Sequence, residues 1–114
     1  MRKIDKKIES QLVKVLTDVC DVALKEIQGF EWLTHLVNYS NFPKSLKVIC
    51  IFDTKHNLAN FLANKELIGR VEALIQAKLL EMDVRVNKIT QHIGYDNQEL
   101  CDQEHGGNWA KRLA

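Results

Sequence analysis

The chain has 114 residues, of which 46% are hydrophobic and 27% charged, with a single proline. This length suits one domain, 1–114, with one core, and the composition excludes a disordered or low-complexity chain. The formal net charge of +1 removes the simplest argument for a dedicated nucleic-acid binder, because such proteins are usually strongly basic.

Cys20, Cys50 and Cys101 are odd in number and contain no CxxC pair. Cys20 and Cys50 lie in apolar runs, where cysteine behaves as a small hydrophobe, so the three read as free thiols in a reducing compartment. The basic start, Arg2-Lys3-Ile4-Asp5-Lys6-Lys7, leads into a stretch holding Glu9, Lys14, Asp18 and Asp21. No apolar signal-peptide core follows it, and no run reaches the roughly 18 apolar residues of a membrane span. The expectation is a cytoplasmic protein with no membrane role.

Ile4, Ile8, Leu12, Val15, Val19, Ala23 and Ile27 recur every three or four residues and predict an amphipathic helix over 4–28, stopped at Gly29. Leu16, Val22 and Leu24 widen its apolar face, so more than one neighbour can pack on it, a sheet or a second copy of the chain. From Phe30 to Tyr39 the pattern alternates: Phe30, Trp32, Thr34 and Leu36 against Glu31, Leu33, His35 and Val37. Aromatic and β-branched content favours a strand. Ser40 to Ser45 is a turn signal, and Leu46–Phe52 is a nearly continuous apolar run, the mark of a central strand covered on both faces. The two strands are expected to form an antiparallel hairpin. Asp53 or Thr54 can cap a following helix. The apolar spacing over 55–82 fits one kinked helix or two, with Asn64 as the break. Val84–Val86 and Ile89–Ile93 read as a strand, whole or split near Asn87-Lys88, and ended by Gly94 and Asp96. Asp96 and Glu99 have capping-box spacing. A short helix then reaches His105, and Gly106-Gly107 stops it. The order α-β-β-α(α)-β-α predicts an α+β fold: a three- or four-stranded, mainly antiparallel sheet packed against a long N-terminal helix and further helices.

Candidate chemistry is sparse. Cys101 and His105 lie four residues apart on a predicted helix, so they share a face and could contribute two ligands to a metal. A site needs about four ligands, and His92 has no defined spacing to the pair. A catalytic Cys101 with His105 as base would sit among Asp96, Glu99, Asp102 and Glu104, which disfavour a thiolate. No motif indicates a cofactor. Asp53, Asp83, Asp96 and Glu99 offer carboxylates, but Asp53 and Asp96 are equally accounted for as helix caps. The string His105-Gly106-Gly107-Asn108-Trp109 reads either as a binding loop, or as a glycine helix stop with Trp109 folding back as an anchor. Arg2, Lys3, Lys6 and Lys7 at one end and Lys111 and Arg112 at the other could meet and contact phosphates. The acidic run from Asp96 to Glu104 contains no cation, so opposite patches also suit docking within the molecule or between two copies.

The segments Phe30-x-Trp32-Leu33-Thr34-His35-Leu36-Val37-Asn38-Tyr39, Leu46-Lys47-Val48 through Phe52-Asp53-Thr54, and Glu104-His105-Gly106-Gly107-Asn108-Trp109-Ala110-Lys111-Arg112-Leu113 resemble a family of small bacterial proteins without an assigned activity. Members are sometimes labelled Fis-like transcriptional regulators. That label implies an all-helical dimer ending in a basic helix-turn-helix, whereas Ser45–Asp53 reads as a buried strand and the last predicted helix is acidic. The resemblance implies a bacterial, cytoplasmic setting and supplies no catalytic residues. The reading the residues favour is a non-enzymatic interaction module with a protein partner, a homodimer foremost. A nucleic-acid-associated protein and a small metal-dependent enzyme are the alternatives.

Overall fold

The computed structural model describes residues 2–114. Helix α1 (Lys3–Glu26) is followed by strands β1 (Phe30–Leu36) and β2 (Lys47–Phe52), helices α2 (Lys55–Leu62) and α3 (Lys65–Glu81), strand β3 (Ile93–Asn97), and helices α4 (Gln98–His105) and α5 (Trp109–Arg112). The expected α+β architecture and element order are therefore present. The sheet order is β1-β2-β3. β1 and β2 pair antiparallel, their connection over 37–46 being shorter than a parallel crossover needs, whereas β3 joins β2 in parallel after the α2–α3 crossover. The sheet is thus mixed.

Strand β2 is central, and Val48, Ile49, Cys50, Ile51 and Phe52 are all buried. Val48, Cys50 and Phe52 face one core with Leu12, Val15, Leu16, Val19 and Ala23 of α1 and Val71, Ile75 and Leu79 of α3. Phe61 of α2 closes this front layer, 4.9 Å from the Phe52 ring and 5.3 Å from Tyr95. Ile49 and Ile51 point to the back, in register with Thr34 and Trp32 on one side and Gly94 and Asp96 on the other. Helices α4 and α5 lie on that back face.

Three local expectations are corrected. First, the register shifts between Phe30 and Trp32. This bulge turns Phe30 into the front core, edge-on to Phe52 at 5.9 Å, while Trp32, Thr34 and Leu36 stay at the back. Second, the third strand lies over 93–97 rather than 84–93, so Gly94 and Asp96 belong to it instead of ending it. Residues 84–88 alternate inward and outward as a loop, and 89–92 form a 3-10 turn. Gly94 pairs with Ile49 of β2, and the Ile49 and Lys47 side chains lie over it: a Cβ there would stand 3.0 Å from Ile49 Cδ1 and 3.2 Å from Lys47 Cε. Third, the cap of α4 is Asn97, whose Oδ1 accepts from Leu100 N at 2.8 Å. Asp96 is drawn into another contact, and Glu99 reaches across to accept from Lys55 N at 3.0 Å.

The stretch 55–82 resolves into two helices, because Asn64 Oδ1 accepts from Leu67 N and starts α3 afresh. Thr54 caps α2 through Asn57 N, and Asp53 Oδ1 supports it, accepting from Thr54 N at 2.7 Å and from Asn57 Nδ2 at 2.9 Å.

Gly29 joins α1 to β1 with φ of 84°, and a Cβ there would collide with the Asn57 side chain. Both the positive φ and the steric overlap penalise any larger residue. Gly29→Ala is expected to cost about 2–4 kcal/mol of unfolding free energy, measured by urea denaturation, with the midpoint falling and the slope unchanged.

Candidate functional site at the back of the sheet

The segment singled out by its composition, His105 to Arg112, packs on the back face at the Asp96 end of the sheet. Gly106 and Gly107 both have positive φ, 58° and 81°. The Gly107 N–H returns to the Cys101 carbonyl at 3.1 Å, which closes α4 and satisfies a carbonyl the helix leaves free. Asn108 then caps α5 by accepting from Lys111 N at 3.0 Å. The glycines thus act as a helix stop.

Two contacts fasten α5. Trp109 meets Trp32 edge to face, with ring centroids 5.4 Å apart, and its indole N–H donates to Gln98 Oε1 at 3.0 Å. Arg112 forks onto Asp96, with Nε to Oδ2 at 2.6 Å and Nη2 to Oδ1 at 2.9 Å. Glu104 stands 3.6 Å from Nη1. The hydrogen bonds to Asp96 and the neighbouring carboxylates raise the Arg112 pKa above its ordinary value, so this guanidinium is a permanent cation. His105 Nδ1 lies 3.4 Å from Arg112 Nη1 and accepts from it, since guanidinium has only donors. The cation missing from the acidic run 96–104 is therefore supplied from the tail, within the molecule.

Beneath this cover, burial pushes the Cys101 thiol up, and Asp102 and Asp96 add to the effect against an opposing contribution from Arg112. Burial likewise raises Cys50, to about 12. Both thiols are protonated at neutral pH. Cys20, Cys50 and Cys101 are all free. His92 lies before β3, its Nδ1 2.7 Å from the Leu46 carbonyl. It is thus at the opposite end of that strand from α4, which carries Cys101 and His105. Among the described residues, no group of three or more His, Cys, Asp or Glu side chains is placed to hold a metal ion.

The two groups of candidate phosphate contacts lie on opposite faces of the sheet. Lys3, Lys6 and Lys7 extend from exposed turns of α1 at the front, and Lys111 is exposed on α5 at the back. Arg2 pairs with Asp5 at 3.1 Å, and Arg112 is committed to Asp96.

A front-face cluster carries no spacing signal in the sequence. Glu9 of α1 accepts from Tyr39 Oη at 2.8 Å and contacts His35 Nε2 at 2.5 Å. Burial opposes its ionisation, but the bonds from His35 and Tyr39 outweigh it and hold the carboxyl below its ordinary value. Burial, together with Glu9, raises Tyr39. This cluster ties the first turns of α1 to the end of β1.

Among the described residues, strand β1 pairs with β2 alone, and its outer edge runs between two grooves. On the back, Trp32, Thr34, Leu36, Trp109, Ala110 and Leu113 line a groove of about 380 Å³. On the front, Val13, Thr17, Cys20, Leu33, Thr34 and His35 line another of about 300 Å³. Thr34 borders both. The tail therefore forms one wall of an open surface beside a free strand edge. Compared with known proteins, the chain matches no family model, no curated protein and no solved structure. Among the described residues, no helix is long and apolar enough to cross a membrane.

Two measurements check these contacts. A carboxyl whose folded pKa is depressed contributes stability above its unfolded pKa and loses it as pH falls through the folded value. Glu9→Gln is therefore expected to cost about 1 kcal/mol at pH 7, with the difference from wild type closing as the pH drops below the ordinary carboxylate range. Arg112→Ala leaves Asp96 unpaired and is expected to weaken docking of α5 by about 1–3 kcal/mol. The readout is a red shift of tryptophan emission as Trp109 leaves Trp32.

Proposed function

We propose that this chain is a non-enzymatic interaction module that assembles with a second copy of itself by extending the sheet across β1. The observation that carries this reading is the uncovered edge of β1 between two grooves. A strand added there gains main-chain hydrogen bonds, while its alternate side chains enter the grooves on either face. Val13 and Leu36, which line those grooves, are about half exposed, at 51% and 41%.

The second copy is favoured by the pattern of side chains along β1. An antiparallel pairing centred on Thr34 sets Trp32 opposite Leu36 of the other copy, an aromatic–aliphatic cross-strand pair. The polar groups best suited to chemistry are meanwhile held in structural pairs: Glu9 with His35 and Tyr39, and Asp96 with Arg112. That distribution supports binding ahead of catalysis.

Sedimentation equilibrium is expected to show a dimer at micromolar concentration. Thr34→Glu places like charges opposite each other and should raise the dissociation constant by about 100-fold, or roughly 3 kcal/mol, while Thr34→Val leaves it unchanged. A wild-type chain that sediments as a monomer throughout the micromolar range removes the proposal.

A further inference from the structure

The loop from Asp83 to His92 spans ten residues, longer than the roughly 4–6 typical of a connection in a compact domain. Its fold is set by alternation. Val84 is buried, and Val86 and Ile89 pack against the core, while Arg85, Asn87 and Lys88 are exposed. Opposite them, Lys44 projects from the β1–β2 connection. Together Lys44, Arg85, Val86, Asn87, Lys88, Gln91 and His92 line a groove of about 520 Å³, within the range of about 300–1,000 Å³ usual for ligand sites.

The lining has one sign. It holds two lysines, an arginine, a histidine and two side-chain amides, and no carboxylate. Among the described residues Lys44, Arg85 and Lys88 have no acidic partner within 4.0 Å; Lys3, Lys6, Lys7 and Lys111 also lack one, but Lys44, Arg85 and Lys88 converge on one groove. His92 Nδ1 donates to the Leu46 carbonyl, and its Nε2 has no protein partner among the described residues. Three uncompensated cations in a shared concavity repel one another and raise the local concentration of anions. Among the described residues no Phe, Tyr or Trp side chain lines the groove, so it lacks the broad aromatic platform that single-strand readers use for bases. Arginine and lysine with amide donors match the tetrahedral, multiply charged oxygens of phosphate.

We infer that this groove is a binding site for the phosphates of a phosphate-bearing ligand, recognised through charge and hydrogen bonding and not through a base. Polyphosphate of a free nucleotide and the backbone of a single nucleic-acid strand share that chemistry. The site is distinct from the β1 edge and does not depend on dimerisation.

The test is fluorescence anisotropy of the full chain with a labelled mixed-sequence single-stranded oligonucleotide at low salt, with a nucleoside triphosphate, inorganic tripolyphosphate and polyglutamate as competitors. Phosphate binding through three cations should weaken about 20-fold between roughly 50 and roughly 200 mM salt. The double variant Arg85→Gln/Lys88→Gln, at exposed loop positions, should keep its circular dichroism spectrum and bind about tenfold more weakly or less still. Lys111→Gln, on the back face, should bind as wild type. Displacement of the strand by triphosphates assigns the site to free polyphosphate, and a strand that resists them assigns it to the nucleic-acid backbone; both support the inference. Absence of binding to every phosphate probe, undiminished binding by the folded double variant, or equal competition by polyglutamate would overturn it.

Discussion

Burial of β2 on both faces organises this molecule. Five consecutive side chains, Val48 to Phe52, are excluded from water, and full burial of a large apolar side chain contributes about 1.5–3 kcal/mol. A strand of this kind cannot sit at an edge or face solvent, so the chain must provide cover in two directions. The front cover comes from α1, α2 and α3. Behind the sheet, α4 and the short α5 do the same work with far fewer residues. The C-terminal segment is consequently part of the fold. With α5 removed, Trp32 would lose its aromatic partner and Asp96 its cation.

That requirement also explains which parts of the fold are legible in the sequence. The continuous run Leu46–Phe52 and the periodic apolar stripe of α1 are local signals, and both elements form nearly where the residues place them. The third strand is displaced because Val84, Val86 and Ile89 alternate as strand residues do but bury themselves as loop anchors. The true strand contains Gly94, which reads as a terminator until the side chains of Lys47 and Ile49 are seen lying across it. Similarly, the cap at Asp96 is a sound local inference displaced by a tertiary contact, since Arg112 takes the carboxylate and leaves the cap to Asn97. Local rules fail here where a distant residue competes for the same group.

The site was legible only in part. The glycine pair and Trp109 stood out as a helix stop and an anchor, and the structure gives each of them that geometry. Glu9, His35 and Tyr39 are separated by 26 and 30 positions along the chain, and nothing in their spacing brings them together. The same holds for the groove lined by Lys44, Arg85, Lys88 and His92. Two connections contribute to it, and its strongest members lie in a segment whose alternation suggests a strand. Basic residues near the two termini drew attention because they cluster in sequence, yet the sheet separates them onto opposite faces.

A net charge of +1 therefore conceals a segregated distribution. Arg112 pairs with Asp96 and stands near Glu104 inside the molecule, which offsets part of the negative charge of the acidic run. The groove lined by Lys44, Arg85 and Lys88 has no carboxylate in its lining. Internal pairing costs side-chain entropy, and uncompensated like charges cost repulsion; the chain accepts the first at its back face and the second at the Lys44–Lys88 groove. Arg112 offsets Asp96 within the molecule, whereas Lys44, Arg85 and Lys88 share a groove with no carboxylate in its lining, so positive charge is concentrated there. This follows from which ions the tertiary fold pairs, and overall composition gives no view of it.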